Sequence, residues 1–195
     1  TNILPTHLEN FKNTKNIAIE KSDIFNPKYN PNIELLILPQ NNADEMHITD
    51  LALKDNIPNI ITFGKTNNQS YSIEKIKKID DTTFEVLIYS KNATYKFEIN
   101  KNQLSRVNNI LISLIIFVYN KLDITTFISS TKNVQLVEGR GLESKISVNH
   151  KIINFIDETY NASPTTMMMC VDYFSNIKTM RNQKKVLILG DMQEL

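Results

Sequence analysis

Four places in the sequence combine residue types that could do chemistry. The first is His7-Leu8-Glu9 followed by Lys21. An imidazole can bind a metal or move a proton, although a histidine or lysine near a helix is most often simply solvated. The second is Gly139-Arg140-Gly141. Flanking glycines let the backbone approach a ligand while a fixed cation meets an anion; an ordinary loop arginine explains the same residues equally well. The third is Asp157-Glu158-Thr159-Tyr160-Asn161-Ala162-Ser163-Pro164, where acids, hydroxyls and an amide crowd between an apolar run and a helix. Ser163 suits an N-cap and Pro164 the first turn, but a cap does not explain Asp157 at the end of an apolar run. The fourth is Gly190-Asp191-Met192 after V-L-I-L, where a plain turn is the simpler reading. The methionines from Met167 to Met169 fit core packing better than a thioether metal site, and Cys170 reads as a small buried hydrophobe.

The elements that must position these groups follow from hydrophobic periodicity. Residues Asn10 to Ser22 read as a helix, with Phe11, Ile17 and Ala18 apolar among lysines and asparagines. Ile33 to Leu38 and Asn59 to Phe63 are apolar runs of strand length, and Ile48 to Lys54 between them has helical spacing. Strand, helix, strand with short joints is the mark of a parallel sheet covered by helices. Phe84 to Tyr89 and Tyr95 to Ile99 flank a polar stretch and predict an antiparallel hairpin. A broadly apolar helix is expected from Gln103 to Asn120, buried on most sides. A second unit starts near Gln135, with a strand from Ser147 to Asp157 turning at Asn149 to Lys151, a helix from Thr165 to Met180, and a buried strand from Val186 to Leu189. Open α/β sheets place ligands at the carboxyl ends of such strands.

Composition narrows the function classes. Lys plus Arg is 22 against 21 for Asp plus Glu, so there is no broad basic surface for nucleic acid or an anionic membrane. One cysteine cannot form an internal disulfide, which fits a reducing compartment. No run reaches the roughly 20 apolar residues of a membrane span. With four glycines, the G-x-x-x-x-G-K-[ST] phosphate loop is absent. The first residue is Thr1 rather than Met, and the chain is expected to be an internal piece of a longer protein.

In order, T-N-I-x-x-x-H-L-E-x-F, E-K-S-D-I-F, T-F-G, G-R-G, D-E-T-Y-N-A-S-P-T-T-M and L-G-D-M-Q-E-L resemble the Mur ligases, ATP-dependent amide-bond ligases of cell-wall synthesis. The Y-N-A-S-P block and the G-D-M-x-E-L ending are similar to the branch that adds D-alanyl-D-alanine to UDP-N-acetylmuramoyl-tripeptide through an acyl phosphate. The alternatives are another Mur or folylpolyglutamate-type ligase, or a non-catalytic remnant. The resemblance implies an α/β fold: residues 1–136 as the later part of a central ATP-binding domain (a parallel sheet with helices plus a β-hairpin), and residues 137–195 as the start of a Rossmann-like C-terminal domain.

By resemblance, His7 falls at a magnesium-binding histidine, and Lys21 at a lysine that is carbamylated and so acquires a carboxylate for magnesium. Arg140 resembles the arginine that reaches the terminal phosphate of ATP, Asp157 the acid that holds the ribose, and Asn109 the last Asn of an H-N-x-x-N string near the adenine. Tyr160 and Asn161 lie where the incoming amino component is presented. The implied cofactors are ATP and Mg2+, and the implied setting is a cytoplasmic enzyme, monomeric at full length. The chain departs from the family at Ser105-Arg106, in place of H-N, and at Pro39-Gln40-Asn41-Asn42, in place of N-A-D-[DN]. Without the phosphate loop it is expected to be inactive by itself.

Overall fold

The computed structural model describes residues 2–5, 8–65, 68–180 and 182–192. The chain divides into two compact units, one of residues 1–3 and 14–134, the other of residues 4–13 and 135–195.

The first unit is built on a five-stranded sheet in the order β1 (Leu36–Pro39), β2 (Ile60–Gly64), β3 (Tyr71–Lys78), β4 (Thr83–Ser90), β5 (Thr94–Asn100). β1 and β2 run parallel, joined through helix α3 (Ala43–Lys54) as the strand–helix–strand pattern predicts. β3 also runs parallel to β2, but the pairing covers only Phe63↔Tyr71 and Gly64↔Ser72. Six residues separate these strands, too few for a crossover helix, so they touch only where their ends overlap. From β3 onward the sheet is antiparallel, and the expected hairpin is β4–β5, with Val86 opposite Phe97 and Phe84 opposite Ile99.

Sequence periodicity does not reveal β3. The register shifts between Ile73 and Lys75, a β-bulge that takes Glu74 out of the ladder. Its apolar residues therefore fall at 71, 73 and 76 rather than alternating throughout.

The helix expected over Gln103 to Asn120 is a 3-10 segment, Lys101–Arg106, followed by α4 (Val107–Tyr119). Val107, Leu111, Leu114 and Ile115 are buried at helical spacing, while Asn109, Ser113 and Ile116 face solvent. Together with Phe127 of α5 (Ile124–Ser130), this stripe closes the main core over Phe63, Tyr71, Val86, Ile88, Phe97 and Ile99. A second apolar group lies at α2 (Thr14–Ser22), which packs on α3, while α3 packs on β1; Ile17, Ala18, Ile48 and Ala52 are buried there. The single helix expected over Asn10 to Ser22 is instead two, α1 (Leu8–Phe11) and α2, because Lys12 has φ 66° and interrupts the spiral.

In the second unit, β6 (Leu142–Val148) and β7 (Lys151–Asp157) form a hairpin around Asn149 and His150, whose φ values of 48° and 62° suit a two-residue turn of the left-handed type. Helix α6 (Pro164–Ser175) follows, with Ser163 accepting from the Thr166 N–H as N-cap. The strand expected at Val186 to Leu189 is not formed. A strand needs a ladder partner, the sheet of this unit contains only β6 and β7, and these four residues are exposed, Ile188 to 87%.

Candidate functional site

Three of the predicted site residues converge in the second unit, and the backbone explains why. Residues Val137–Arg140 make a turn closed by the Arg140 N–H on the Val137 carbonyl at 3.0 Å. Gly139 within it has φ 73° and Gly141 φ 85°, a region that L side chains avoid. β7 then delivers Asp157 beside this turn. The Gly141 N–H donates to the Asp157 carbonyl at 2.6 Å, and the Gly139 N–H donates to Asp157 Oδ2 at 3.0 Å.

Asp157 is thereby tied on both oxygens. Its Oδ1 accepts from the Thr159 hydroxyl at 2.7 Å and from the Thr159 N–H at 3.1 Å. These donors, the Thr159 hydroxyl first, hold the carboxyl below its ordinary range. A carboxylate has about four acceptor positions, so three bonds leave Oδ2 able to take one more hydroxyl.

Tyr160 completes the cluster. Its N–H donates to the Gly139 carbonyl at 3.0 Å, and its ring lies under the Arg140 guanidinium, whose Cζ is 4.0 Å from the ring centroid. A Cβ on Gly139 would sit 2.9 Å from Tyr160 Cβ. The close backbone approach that two glycines suggest in the sequence is therefore made toward Tyr160. Asn161 is exposed beside it. The unit is braced by α6, whose Tyr173 hydroxyl donates to Glu143 of β6 at 2.7 Å; burial first, then the Glu143 carboxylate, pushes this phenol up from its ordinary pKa.

The remaining predicted residues belong to the first unit or fall outside the description. Lys21 is exposed in the last turn of α2. Asn109 is exposed in the first turn of α4, its carbonyl accepting from the Ser113 hydroxyl at 3.1 Å. His7 lies outside the described residues. Among the described residues no three His, Cys, Asp or Glu side chains gather as a metal cluster. Gly190, from the fourth sequence candidate, has no neighbour within 4 Å of where a Cβ would stand. Arg106, which stands where the resemblance calls for Asn, donates to its own helix at Asn102 O and to Ser105 Oγ, both at 3.2 Å.

Sequence reasoning missed one polar node. At the carboxyl ends of β1 and β2, Glu45 is 1% exposed and accepts from the Ile3 N–H at 3.1 Å and the Asn41 N–H at 2.7 Å. Asn41 in turn accepts from the Lys65 N–H. The available signal was Asn42-x-x-Glu45, a capping-box spacing. Asn42 does cap α3, but the glutamate reaches past the cap to tie Ile3 and Asn41. Thr159 was also passed over as a partner of Asp157, although D-x-T is a common local turn pattern.

The family model described as the Mur ligase middle domain matches residues 1–117. Among solved structures, the chain is similar to a UDP-N-acetylmuramoylalanyl-D-glutamyl-2,6-diaminopimelate–D-alanyl-D-alanyl ligase of Acinetobacter baumannii (TM-score 0.72, 20% identity, 100% of this chain and 39% of that one). It is also similar to a crystal structure of MurF from the same organism (0.69, 18%, 91% and 36%). A third is the UDP-N-acetylmuramate–alanine ligase MurC of Thermotoga maritima (0.56, 17%, 87% and 36%). At these identities the likeness is one of fold, and the chain spans under two fifths of the length of each of these structures. Comparison with curated protein sequences gives no match. No helix among the described residues is long and apolar enough to cross a membrane.

Proposed function

The chain belongs to the Mur ligase middle-domain family, and from that premise we propose that the protein is an ATP-dependent ligase joining D-alanyl-D-alanine to UDP-N-acetylmuramoyl-tripeptide in peptidoglycan synthesis. The observation that carries this reading is the interlock of Gly139, Arg140, Asp157 and Tyr160 inside the G-R-G and D-E-T-Y-N-A-S-P strings. In this reading residues 1–136 are part of the central ATP-binding domain and residues 137–195 open the C-terminal domain. The working enzyme is the full-length protein in the cytoplasm, acting as a monomer.

The reaction has two steps. The carboxylate of the acceptor peptide attacks the γ-phosphorus of ATP, forming an acyl phosphate and releasing ADP. The amine of D-alanyl-D-alanine then attacks the acyl carbon, and phosphate leaves as the amide forms and the amine gives up a proton. Negative charge accumulates on the transferred phosphoryl group, and a guanidinium is suited to meet it. Arg140 supplies that cation. Asp157 holds the turn that carries Arg140 and offers its remaining acceptor position to a ribose hydroxyl. By the same resemblance Asn109 is assigned to the adenine, and Tyr160 and Asn161 to the incoming amino component. Mg2+ would neutralise phosphate charge when bound. In this reading Lys21, as a carbamate, and His7 would hold it.

The test is phosphate release by the full-length protein with ATP, Mg2+ and the UDP-linked tripeptide. Release that depends on D-alanyl-D-alanine supports the proposal. Release with a single amino acid instead would assign a different Mur ligase reaction. No release from folded protein would favour a non-catalytic remnant, the reading that the Ser105-Arg106 replacement suggests.

A further inference from the structure

We propose that Tyr160 is the positioning residue of Arg140, its ring serving as the platform on which the guanidinium is aimed at an anionic phosphate group. The proposal rests on the functional reading for the identity of the anion, but its geometry stands on this chain alone.

Three observations carry it. First, the guanidinium carbon lies 4.0 Å from the Tyr160 ring centroid, stacking distance for a planar cation on an aromatic face. Second, the two backbones that bear the pair are joined to each other. The Tyr160 N–H donates to the carbonyl of Gly139, the residue before Arg140. Asp157 bridges the same two segments, taking the Gly139 N–H on one oxygen and Thr159 on the other. Third, a Cβ on Gly139 would stand 2.9 Å from Tyr160 Cβ and 3.1 Å from its N, so glycine lets this turn lie directly against the stretch of chain that carries the ring.

The exposure of Tyr160 fits the same role. The residue is 67% exposed, so core burial is not what sets its place; one face carries Arg140 and the phenol is not needed for the stack. A long side chain loses rotamer freedom when an anion fixes it. Stacking on a ring that is fixed through its own backbone takes up part of that loss beforehand, and pre-orientation of this kind acts on reaction rate as well as on binding.

The test compares Tyr160→Phe, Tyr160→Leu, Arg140→Ala and the double variant Arg140→Ala/Tyr160→Leu in the full-length protein. The first readout is the Arg140 Nε–Hε resonance, displaced by the ring current when the guanidinium is stacked. It should move in Tyr160→Leu and return in Tyr160→Phe. The second is binding of inorganic tripolyphosphate, which should weaken about two- to fivefold in Tyr160→Leu, the scale of an exposed cation–π contact, and recover in Tyr160→Phe. With Arg140→Ala as background, removing the ring should cost nothing more. An unmoved resonance, or an equal loss with and without Arg140, would overturn the proposal. If ligation is seen, a rise in KM for D-alanyl-D-alanine with KM for ATP and kcat unchanged would also overturn it, placing Tyr160 on the amino component alone. If the wild-type protein does not ligate, the functional reading fails, and the resonance and tripolyphosphate binding still decide whether Tyr160 aims Arg140.

Discussion

Replacing Gly139 with alanine perturbs the closest backbone contact of the candidate site. Gly139 has φ 73°, and an L residue there costs about 1–2 kcal/mol. Its new Cβ would stand 2.9 Å from Tyr160 Cβ and 3.1 Å from Tyr160 N, and since the latter is backbone, a chain segment has to move. That movement stretches the Tyr160 N–H bond to the Gly139 carbonyl, worth about 0.5–1.5 kcal/mol net. Together these give about 1.5–3.5 kcal/mol of local destabilisation, or about 10- to 400-fold in an opening equilibrium at 1.36 kcal/mol per decade. Hydrogen exchange of the Tyr160 and Gly141 amides reads that opening directly. Gly190→Ala is the control, since nothing lies within 4 Å of its Cβ position, and it should leave those amides unchanged. Wild-type exchange in Gly139→Ala, or equal loosening by Gly190→Ala, would refute the argument that steric closeness to Tyr160 selects glycine here.

Two further outcomes are expected. Glu45→Ala removes the acceptor of the Ile3 and Asn41 N–H groups and should lower the stability of the first unit by about 1–3 kcal/mol in urea, with Glu45→Gln losing less; an unchanged midpoint would count against the node. Asp123 caps α5 through Thr126 and Thr125, whose hydroxyls and N–H groups lower its pKa to about 2. Because the folded value lies below the ordinary 3.8, its contribution is complete above that value and is lost as pH falls through about 2. A carboxyl titration by NMR should show this midpoint rise toward the ordinary value in Thr126→Val.

The parts of the fold legible in the sequence are those in which local pattern and tertiary burial agree. Val86, Ile88, Phe97 and Ile99 alternate because a single face of the β4–β5 hairpin is covered. The apolar stripe of α4 repeats as a helix face should. Where a local event breaks the period, the signal fails: the bulge at Glu74 hides β3, and the positive φ of Lys12 splits a helix that reads as continuous. Val186 to Leu189 shows the opposite failure, strand-like composition without a ladder partner. The site divides similarly. Gly139, Arg140 and Asp157 stand out by residue type, but the stack of Arg140 on Tyr160 depends on two segments about twenty residues apart meeting, and no spacing rule encodes that meeting.

The change of direction at β3 has a consequence for how the first unit assembles. β3 and β4 are joined by the four residues Ile79–Thr82, and β4 and β5 by the three residues Lys91–Ala93, whereas β1 and β2 are separated by the twenty residues Gln40–Asn59. Closing a flexible loop of that length rather than one of four residues costs about 1.4 kcal/mol more in chain entropy. The antiparallel meander is thus expected to form first, with α4 docking on it before the parallel half is in place. Truncations at Val86 should slow folding, while truncations at Leu38 should mainly speed unfolding; the reverse pattern in stopped-flow kinetics would mean that the parallel pair is the nucleus.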